Sequence, residues 1–336
     1  MHVLFLNFLT LVLKNTLLLE VRNLHVEYVL DDKVTVNAVN NVDLNVPQGE
    51  ILGIVGESGC GKSTLAYSIL ASVPPPGRIR KGEIIYYGWD SPKNILLLSA
   101  DELKRYLWKE VSLIPQAAQS AFNPVMRIKE HFIDTAASHG EKNELEVLRK
   151  AKMLLNEVML DESVLQKYPH ELSGGMKQRV AIALSLLLDP KLVILDEPTS
   201  ALDLITQKFI LNMLKRLKEE HNLTMIFITH DLSILAEIAT YIAVMYAGKV
   251  VEISPVNKLF YQPKHPYTLG LLKAVPSIIG DVSEVRSIRG FPPDLRFLPS
   301  RCLFAERCDY AEDICFKEEP KLTSVGERHY VACHKY

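Results

Sequence analysis

Residues 56–64 read GESGCGKST, a glycine-rich segment that could bind the phosphates of a nucleotide. They fit the phosphate-binding pattern G-x-x-x-x-G-K-[ST] at every specified position. Glycines let the backbone curl so that its N–H groups face phosphate oxygens, and the N-terminus of a following helix adds partial positive charge. We predict that Lys62 reaches the β- and γ-phosphates of ATP and that the Ser63 hydroxyl ligates Mg²⁺. The predicted nucleotide-binding residues are Gly56, Ser58, Gly59, Cys60, Gly61, Lys62, Ser63 and Thr64.

The segments beside this loop decide whether the pattern is a chance glycine-rich turn. Residues 51–55 form a short apolar run that we predict to be a strand, and residues 65–70 are predicted to be a helix. A phosphate loop works between a strand and a helix N-terminus, so this context favours the nucleotide interpretation. Cys60 occupies a variable position of the pattern, where we expect its side chain to point away from phosphate.

Further polar residues follow apolar runs of the kind that form buried parallel strands. Asp196 and Glu197 follow the run LVIL, which would deliver Asp196 to Mg²⁺ and Glu197 to the attacking water. Gln116 follows SLIP and could touch both Mg²⁺ and water, and His230 follows MIFIT and could hydrogen-bond the γ-phosphate. We therefore predict Glu197, Gln116 and His230 as catalytic residues, and Ser63, Gln116 and Asp196 as Mg²⁺ ligands.

Residues 172–179, LSGGMKQR, resemble the signature sequence of ATP-binding cassette (ABC) ATPases. A serine and two glycines open a helix whose N-terminus faces an anion, about 110 residues after Lys62. In this family the signature caps the ATP held by the opposite subunit, and residues 200–203, SALD, resemble the segment that links the two sites. The resemblance, which covers the chain from about Thr16, implies that Tyr28 stacks on adenine. It also implies nucleotide contacts from Ser173, Gly174, Gly175 and Asp203.

The resemblance implies an α/β fold with a P-loop (RecA-like) ABC ATPase core, an antiparallel β subdomain, a helical subdomain and a small C-terminal Cys-rich metal-binding segment. The predicted boundaries are an N-terminal extension 1–15, a nucleotide-binding domain 16–255 with a helical subdomain at about 115–186, and a C-terminal extension 256–336. Alternating apolar residues over 34–46 predict an antiparallel sheet, and 3.6-residue spacing over 145–159 predicts an amphipathic helix. We predict a hairpin over 241–253 and interpret the basic run 78–81 as a solvated turn.

Four of the five cysteines, Cys302, Cys308, Cys315 and Cys333, lie in the tail segment at about 295–336. Disulfides are not expected in a reducing compartment. Four thiols in a short segment that has little apolar core of its own therefore suggest that a bound metal cross-links the segment. Zinc prefers tight C-x2–4-C pairs, which are absent, whereas an iron–sulfur cluster accepts looser spacing. From the residues alone, a [4Fe-4S] cluster, a structural zinc and unligated thiols all stay open.

Three segments resemble the ATP-binding subunits of dipeptide and oligopeptide importers: residues 122–128 (FNPVMRI), 263–268 (PKHPYT) and 271–276 (LLKAVP). The resemblance implies an ATPase that powers peptide uptake, and an iron–sulfur-like cysteine segment. Relatives that import nickel, other metal complexes or oligosaccharides share these patterns and remain the alternative. The implied partners are a second, related ABC ATPase subunit in a head-to-tail dimer with two sandwiched ATP molecules, two membrane permease subunits and an external solute-binding protein. Binding of γ-phosphate would close the dimer and hydrolysis would open it.

Composition bounds the remaining classes of function. The 336 residues carry a formal net charge of −2, which gives no argument for nucleic acid or anionic lipid. No apolar run reaches the roughly 20 residues that span a bilayer. The nearest run, residues 3–13, lacks the basic leading segment and the small-residue cleavage pattern of a signal peptide. Three interpretations of it stay open: an extra strand, an interfacial segment or a misassigned start. We therefore expect a cytoplasmic chain, peripheral on the inner face of the cell membrane.

Two non-transport classes compete with this interpretation. Chromosome-type ABC ATPases need a long coiled coil between the phosphate loop and the signature, and translation-factor relatives carry two cassettes in one chain. This chain has about 110 residues between the two motifs and one cassette. A scaffold with an inactive ATPase would need a defect, but Lys62, Glu197 and His230 are all present.

Overall fold

The computed structural model describes residues 17–31, 34–200, 202–274 and 288–336. The predicted N-terminal extension 1–15, Ala201 of the SALD segment and the end of the LLKAVP motif lie outside the described residues. The strands, in chain order, are β1 Leu17–Asp31, β2 Val34–Pro47, β3 Ile51–Val55, β4 Gly77–Tyr86, β5 Lys93–Asn94, β6 Val111–Ile114, β7 Leu192–Asp196, β8 Thr224–Thr229, β9 Tyr241–Tyr246, β10 Lys249–Pro255, β11 Thr323–Gly326 and β12 His329–Val331.

The helices are α1 Lys62–Ile69, α2 Ala100–Tyr106, α3 Ile128–Ser138, α4 Glu144–Glu157, α5 Gly174–Ser185, α6 Leu204–Glu220, α7 Leu232–Ile238, α8 Val256–Tyr261 and α9 Pro266–Ala274. Short 3-10 turns lie at Ile95–Leu97, Ala118–Ser120, Glu162–Gln166, Pro169–Glu171, Ala305–Arg307 and Asp313–Phe316. Within these described helices, none combines the length and apolar character that crossing a membrane requires.

The chain divides into two compact units. The first unit takes the described residues before Leu97 together with those from Thr229 onward, and the second unit is Leu97–Ile228. The phosphate loop and the cysteine-rich tail therefore belong to the first unit. Gln116, the signature and Glu197 belong to the second.

In the first unit, β1 pairs antiparallel with both β2 and β4. The alternation over 34–46 predicted such a strand, and β2 confirms it. The basic run 78–81 is not a turn, because it lies within β4, where Glu27 is in register with Arg78. Arg78 also forms an ion pair of 2.7 Å with the Glu27 carboxylate, which is nearly buried. The basic segment is thus held as a strand by its pairing with β1, to which the cross-strand charge pair adds.

The second sheet of the first unit supports the phosphate loop. β3 runs parallel to β9, and β9 and β10 form the predicted antiparallel hairpin. The tail hairpin of β11 and β12 continues this sheet, because β12 pairs antiparallel with β10. Strand β3 is buried along its whole length, so a rigid apolar strand leads directly into the loop.

A buried carboxylate ties the tail to β10. Glu252 is fully buried, accepts hydrogen bonds from the backbone N–H groups of Lys264 and His265, and lies 2.8 Å from His329 Nε2. Because an uncompensated buried carboxylate is costly, these contacts hold the tail against the strand. Nearby, burial lowers the pKa of His265 to about 3, although a backbone hydrogen bond with Ala332 partly opposes the shift.

In the second unit, β6, β7 and β8 are parallel, and β7 and β8 are buried at every position. The predicted amphipathic helix over 145–159 is α4, which buries Val147, Ala151, Leu154 and Leu155. Helix α3 packs on α4, and α4 packs on α5. These helices form a layer beside the parallel strands of the same unit.

Candidate functional site

The phosphate loop adopts a backbone that its glycines allow. Gly59 and Gly61 have φ values of 77° and 101°, which L-residues with side chains rarely adopt. A Cβ at Gly61 would also lie 2.1 Å from the carbonyl oxygen of Ala38. Helix α1 begins at Lys62, directly after this turn, so the loop leads into a helix N-terminus as predicted.

Lys62 is held inside the loop. Its ammonium donates hydrogen bonds to the carbonyl oxygens of Gly56 at 2.8 Å and Glu57 at 3.0 Å, and the residue is 6% exposed. Cys60 lies beneath it, buried, with 3.8 Å between Lys62 Nζ and Cys60 Sγ. Burial raises the pKa of the Cys60 thiol, although the charge of Lys62 partly opposes the shift. Cys60 is therefore a packed, neutral thiol.

Tyr28, the predicted adenine-stacking residue, lies beside the helix that follows the loop. Its hydroxyl is 3.3 Å from Thr64 Oγ1, and its ring is half-buried on β1. The structure therefore brings Tyr28 next to Thr64 and leaves part of the ring accessible. His230, at the end of β8, is exposed and immediately precedes Asp231, which caps α7.

In the second unit, Gln116 and Glu197 meet at the ends of β6 and β7. The amide Nε2 of Gln116 donates a hydrogen bond of 3.2 Å to Glu197 Oε2. Asp196 ends β7 and is 2% exposed. Glu197 has a φ of 50°, and its N–H donates to the carbonyl oxygen of Ile228, which fixes its backbone against β8. Such a carboxylate, held by an amide, can orient a water molecule.

The signature serine and the SALD aspartate also lie in the second unit, each as a helix cap. Ser173 Oγ accepts a hydrogen bond from Met176 N at the start of α5. Asp203 accepts from both the N–H and the hydroxyl of Thr206 at the start of α6, and these bonds lower the pKa of Asp203.

The two caps are close in space. A Cβ at Gly175 would lie 3.0 Å from Thr206 Cγ2, and a Cβ at Gly174 would lie 2.9 Å from Gln119 Oε1. The signature glycines therefore let the backbone of α5 approach these two segments closely. The result is two adjacent helix N-termini whose N–H groups favour negative charge.

The four tail cysteines line one small cavity in the first unit: Cys302, Cys308, Cys315 and Cys333. Burial, together with a smaller contribution from the other three thiols, raises the pKa of Cys302 to about 11, and a backbone hydrogen bond partly opposes the shift. Four cysteine side chains around one cavity are a donor set that suits a thiolate-bound metal. In the part of the chain that the structure describes, however, no group of three or more histidine, cysteine, aspartate or glutamate residues is arranged to hold a metal ion.

Two residues of the C-terminal extension 256–336 that the sequence did not single out as functional contact the phosphate loop. Arg307 forms two hydrogen bonds of 2.8 Å with the Glu57 carboxylate, and the Tyr267 hydroxyl accepts a 3.0 Å hydrogen bond from Glu57 N. Tyr267 lies in the PKHPYT motif, which gave a family signal but no contact. Nothing in the local sequence of Arg307 indicates its partner.

Comparison with protein families gives two matches. Residues 39–200 match the family described as ABC transporter, and residues 251–315 match the oligopeptide/dipeptide transporter C-terminal region. The first match contains the phosphate loop, Gln116, the signature and Glu197. The second contains Tyr267, Arg307 and three of the four tail cysteines.

Similar proteins agree with these matches. The dipeptide transport ATP-binding protein DppD of Caldanaerobacter subterraneus subsp. tengcongensis is 44% identical, with 96% of this chain and 98% of the relative covered. The oligopeptide transport ATP-binding protein OppD of Bacillus subtilis is 40% identical, with 94% and 88% covered. A solved dimer of the bacterial ABC transporter cassette MJ0796 has a TM-score of 0.61 and 28% identity, covering 71% of this chain and 98% of that one.

The fold is thus that of a P-loop ABC ATPase with mixed α/β sheets and helices. A second solved state of the MJ0796 cassette, bound to ADP and Pi, has a TM-score of 0.59 and 27% identity, covering 71% of this chain and 98% of that one. The fold and the two similar transport proteins agree with the phosphate loop of the first unit and with the signature of the second. This chain belongs to the dipeptide/oligopeptide branch of the ABC transporter ATPases.

Proposed function

We propose that this chain hydrolyses ATP to power uptake of dipeptides or oligopeptides through partner membrane subunits. The observation that carries the hydrolytic part is the hydrogen bond from Gln116 to Glu197, which orients a carboxylate at the end of a buried strand. The peptide part is supported by the C-terminal match and by relatives described as dipeptide and oligopeptide transport proteins.

The residues of the first unit would bind the nucleotide. The loop N–H groups from Gly59 to Thr64 and the Lys62 ammonium would hold the phosphates, Ser63 would ligate Mg²⁺, and Tyr28 would stack on adenine. His230 would hydrogen-bond the γ-phosphate. Lys62→Ala should therefore weaken equilibrium ATP binding by at least about tenfold, because it removes the loop's charged donor. Unchanged affinity in the folded variant would contradict this role.

The residues of the second unit would complete hydrolysis. Asp196 and Gln116 would bind Mg²⁺, which supplies charge neutralisation of the phosphates when bound. Glu197 would accept a proton from the attacking water, and Gln116 would hold that carboxylate in place. Ser173, Gly174, Gly175 and Asp203 would contact the ATP of a second cassette. Two adjacent, exposed helix N-termini are suited to an anion presented by another subunit.

We propose a head-to-tail ATPase dimer with a related subunit, two permease subunits and an external solute-binding protein as partners. A solved ABC cassette similar to this chain is dimeric, which supports the pairing. The site would then lie in the cytoplasm, on the inner face of the cell membrane. We also propose the sequence division into a nucleotide-binding domain 16–255, with a helical subdomain at about 115–186, and a C-terminal extension 256–336.

Peptide uptake tests the proposal directly. Cells lacking this subunit should lose uptake of a labelled dipeptide or oligopeptide, and the wild-type gene should restore it whereas the Glu197→Gln variant should not. The tagged chain should copurify with two membrane subunits. Restored uptake of nickel or an oligosaccharide, with peptide uptake unaffected, would contradict the peptide assignment and leave the ATPase assignment in place.

We further propose that the four tail cysteines hold a [4Fe-4S] cluster, with a structural zinc as the alternative. The support is their position around one cavity, where burial and the neighbouring thiols disfavour the thiolate forms of Cys302, Cys308 and Cys333 until a cation compensates them. A bound cluster would supply a cross-link between parts of the tail.

Metal analysis of anaerobically purified protein tests this second proposal. We expect about four irons and four acid-labile sulfides per chain. Cys302→Ser should lose most of the iron, whereas Cys60→Ser is the matched control and should retain it, because Cys60 lies in the phosphate loop. Stoichiometric zinc without sulfide would select the alternative, and neither metal would contradict both.

A further inference from the structure

Arg307 joins the cysteine-rich tail to the phosphate loop. Its Nη1 and Nη2 lie 2.8 Å from Glu57 Oε2 and Oε1, respectively, so the guanidinium fork meets the whole carboxylate. The Arg307 side chain is 6% exposed and that of Glu57 is 26% exposed. Paired, bidentate and largely withdrawn from water, this contact is of the kind that fixes geometry as well as charge.

Contacts other than the one with Glu57 also orient Arg307. Arg307 Nε donates to the carbonyl oxygen of Arg289 at 2.9 Å, and Nη1 also lies 3.3 Å from the Tyr246 hydroxyl. The guanidinium carbon lies 5.6 Å from the centroid of the Tyr246 ring and 5.9 Å from that of Phe304. The fork is therefore oriented before it meets the carboxylate, and little side-chain entropy is lost in making the pair.

The loop end of this contact reaches the nucleotide-binding lysine. Glu57 N–H donates to the Tyr267 hydroxyl, and the Glu57 carbonyl oxygen accepts from Lys62 Nζ at 3.0 Å. The C-terminal extension thus holds Glu57 by its side chain, through Arg307, and by its amide, through Tyr267, while the carbonyl of Glu57 contacts Lys62. Moving Glu57 would change the position of the group that is proposed to bind phosphate.

The other end of the contact lies among the cysteines. Arg307 closes the 3-10 turn Ala305–Arg307 and immediately precedes Cys308. Ala305 N donates to the Cys302 carbonyl oxygen, and Cys308 N donates to that of Ala305. Two of the four cysteines therefore flank the turn that carries Arg307, so the order of this segment sets the position of the guanidinium.

We infer that Arg307 is a positioning residue for the phosphate loop and that, through Glu57, it couples the order of the cysteine segment to nucleotide affinity. The coupling is reciprocal, because a tail that favours the binding-competent loop must itself be favoured by nucleotide. This inference rests on the proposed ATP site in the first unit. It assigns the tail a role in the ATPase itself.

A double-mutant cycle tests the inference. Equilibrium binding of a non-hydrolysable ATP analogue is measured on the full chain for Arg307→Ala, Glu57→Ala and the double variant. We expect each single variant to weaken binding by about 5- to 20-fold, and the double variant to be no weaker than either single variant by more than about twofold.

Arg301→Ala is the matched control. Arg301 immediately precedes Cys302, as Arg307 precedes Cys308, but its guanidinium pairs with Glu306, whose side chain is 72% exposed. We expect its affinity to stay within about twofold of wild type. Equal weakening in Arg301→Ala and Arg307→Ala would overturn the inference, because the effect would then come from general loosening of the tail.

Arg307→Lys keeps the charge without the fork and addresses the case in which Arg307→Ala does not fold. If both variants fold, we expect the affinity of Arg307→Lys for the ATP analogue to lie between those of the wild type and Arg307→Ala. If only Arg307→Lys folds, we expect its affinity to be well below that of the wild type. Affinity equal to wild type in every folded Arg307 variant would overturn the inference. A wild-type chain that binds no ATP analogue would instead contradict the proposed function, so the two failures can be distinguished.

Hydrogen exchange gives a readout that does not depend on hydrolysis. Adding the ATP analogue should slow amide exchange over residues 302–308 in the wild type and in Arg301→Ala. The protection should be lost in Arg307→Ala measured at saturating analogue, because the segment that carries Cys302 and Cys308 would lose its Arg307 contact with Glu57. Equal protection in wild type and Arg307→Ala would contradict reciprocal coupling.

Discussion

The phosphate loop and the signature helix present the same kind of group, backbone N–H at a helix N-terminus, but the chain supports them differently. In the first unit, the loop is shaped by residues distant in sequence: Ala38 lies against Gly61, and Arg307 and Tyr267 hold Glu57. In the second unit, Ser173 and Asp203 accept hydrogen bonds from the backbone N–H groups three residues ahead, each in the first turn of the helix that it caps. Changes far along the chain should therefore disturb the loop more than the signature.

Burial separates the two regions as well. Lys62 is 6% exposed, whereas Ser173 and Asp203 are exposed. A buried ammonium that is hydrogen-bonded to fixed carbonyls is preorganised by its surroundings. An exposed cap retains its geometry through local bonds and stays accessible, which suits the proposed contact with a second subunit.

The largest effect is expected from Glu197→Gln in the second unit. The amide cannot accept a proton from water, so kcat for ATP hydrolysis should fall by about 10²- to 10⁴-fold while ATP affinity is retained. Hydrolysis and equilibrium binding are measured on the same preparation. Near-normal turnover would exclude Glu197 as the general base. Loss of ATP binding would show that Glu197 contributes to nucleotide affinity as well as to hydrolysis.

Gly61→Ala and Gly140→Ala compare the cost of adding a side chain at a left-handed glycine in each unit. Both glycines have left-handed φ values, 101° and 94°, and a Cβ at Gly61 would lie 2.1 Å from Ala38 O. Among the described residues, a Cβ at Gly140 would have no neighbour within 4 Å other than its adjacent residues. Gly140→Ala should cost about 1–2 kcal/mol of unfolding free energy from backbone strain alone. Gly61→Ala should cost more and weaken ATP binding at least tenfold. Similar losses of stability in both variants would contradict a special steric demand at the loop.

The buried His265 of the first unit predicts a pH dependence. Its pKa is about 3 when folded and about 6.5 when unfolded, so the unfolded chain binds more protons between these values and stability falls as the pH is lowered through that window. The slope of unfolding free energy against pH should approach about 1.4 kcal/mol per pH unit below pH 6.

His265→Phe should flatten the slope of unfolding free energy against pH. His170→Phe, at an exposed position of the second unit, is the control and should leave the slope nearly unchanged. The readout is the slope obtained from denaturant titrations at several pH values. An unaltered slope in His265→Phe would show that other groups dominate the acid response.

The smallest effect is expected for helix caps in the second unit. Ser173 and Asn143 cap α5 and α4 with side-chain hydrogen bonds of 3.3 Å each. Ser173→Ala and Asn143→Ala should each cost about 1 kcal/mol of unfolding free energy. Only Ser173→Ala should also reduce ATP hydrolysis. Equal effects on hydrolysis would assign the signature serine a structural role alone.

Local patterns predicted much of this protein. Strand β8 matches the predicted run 224–229, the hairpin of β9 and β10 is confirmed, and α4 begins within one residue of its predicted start. The basic run 78–81 was assigned wrongly, because its stability as a strand depends on Glu27 in a neighbouring strand. A partner 51 residues away leaves no local periodicity in the sequence.

Short stretches of sequence were enough to predict the candidate site residues: a glycine-rich loop with Lys62, a carboxylate at Glu197 after an apolar run, and a serine–glycine helix start at Ser173. Each depends on the order of residues within a few positions, because caps, turns and strand ends are local. Only the folded chain shows that Arg307 meets Glu57, 250 residues away, and that four cysteines separated by loops line one cavity. Such contacts depend on how strands and turns pack, and packing is a property of the whole fold.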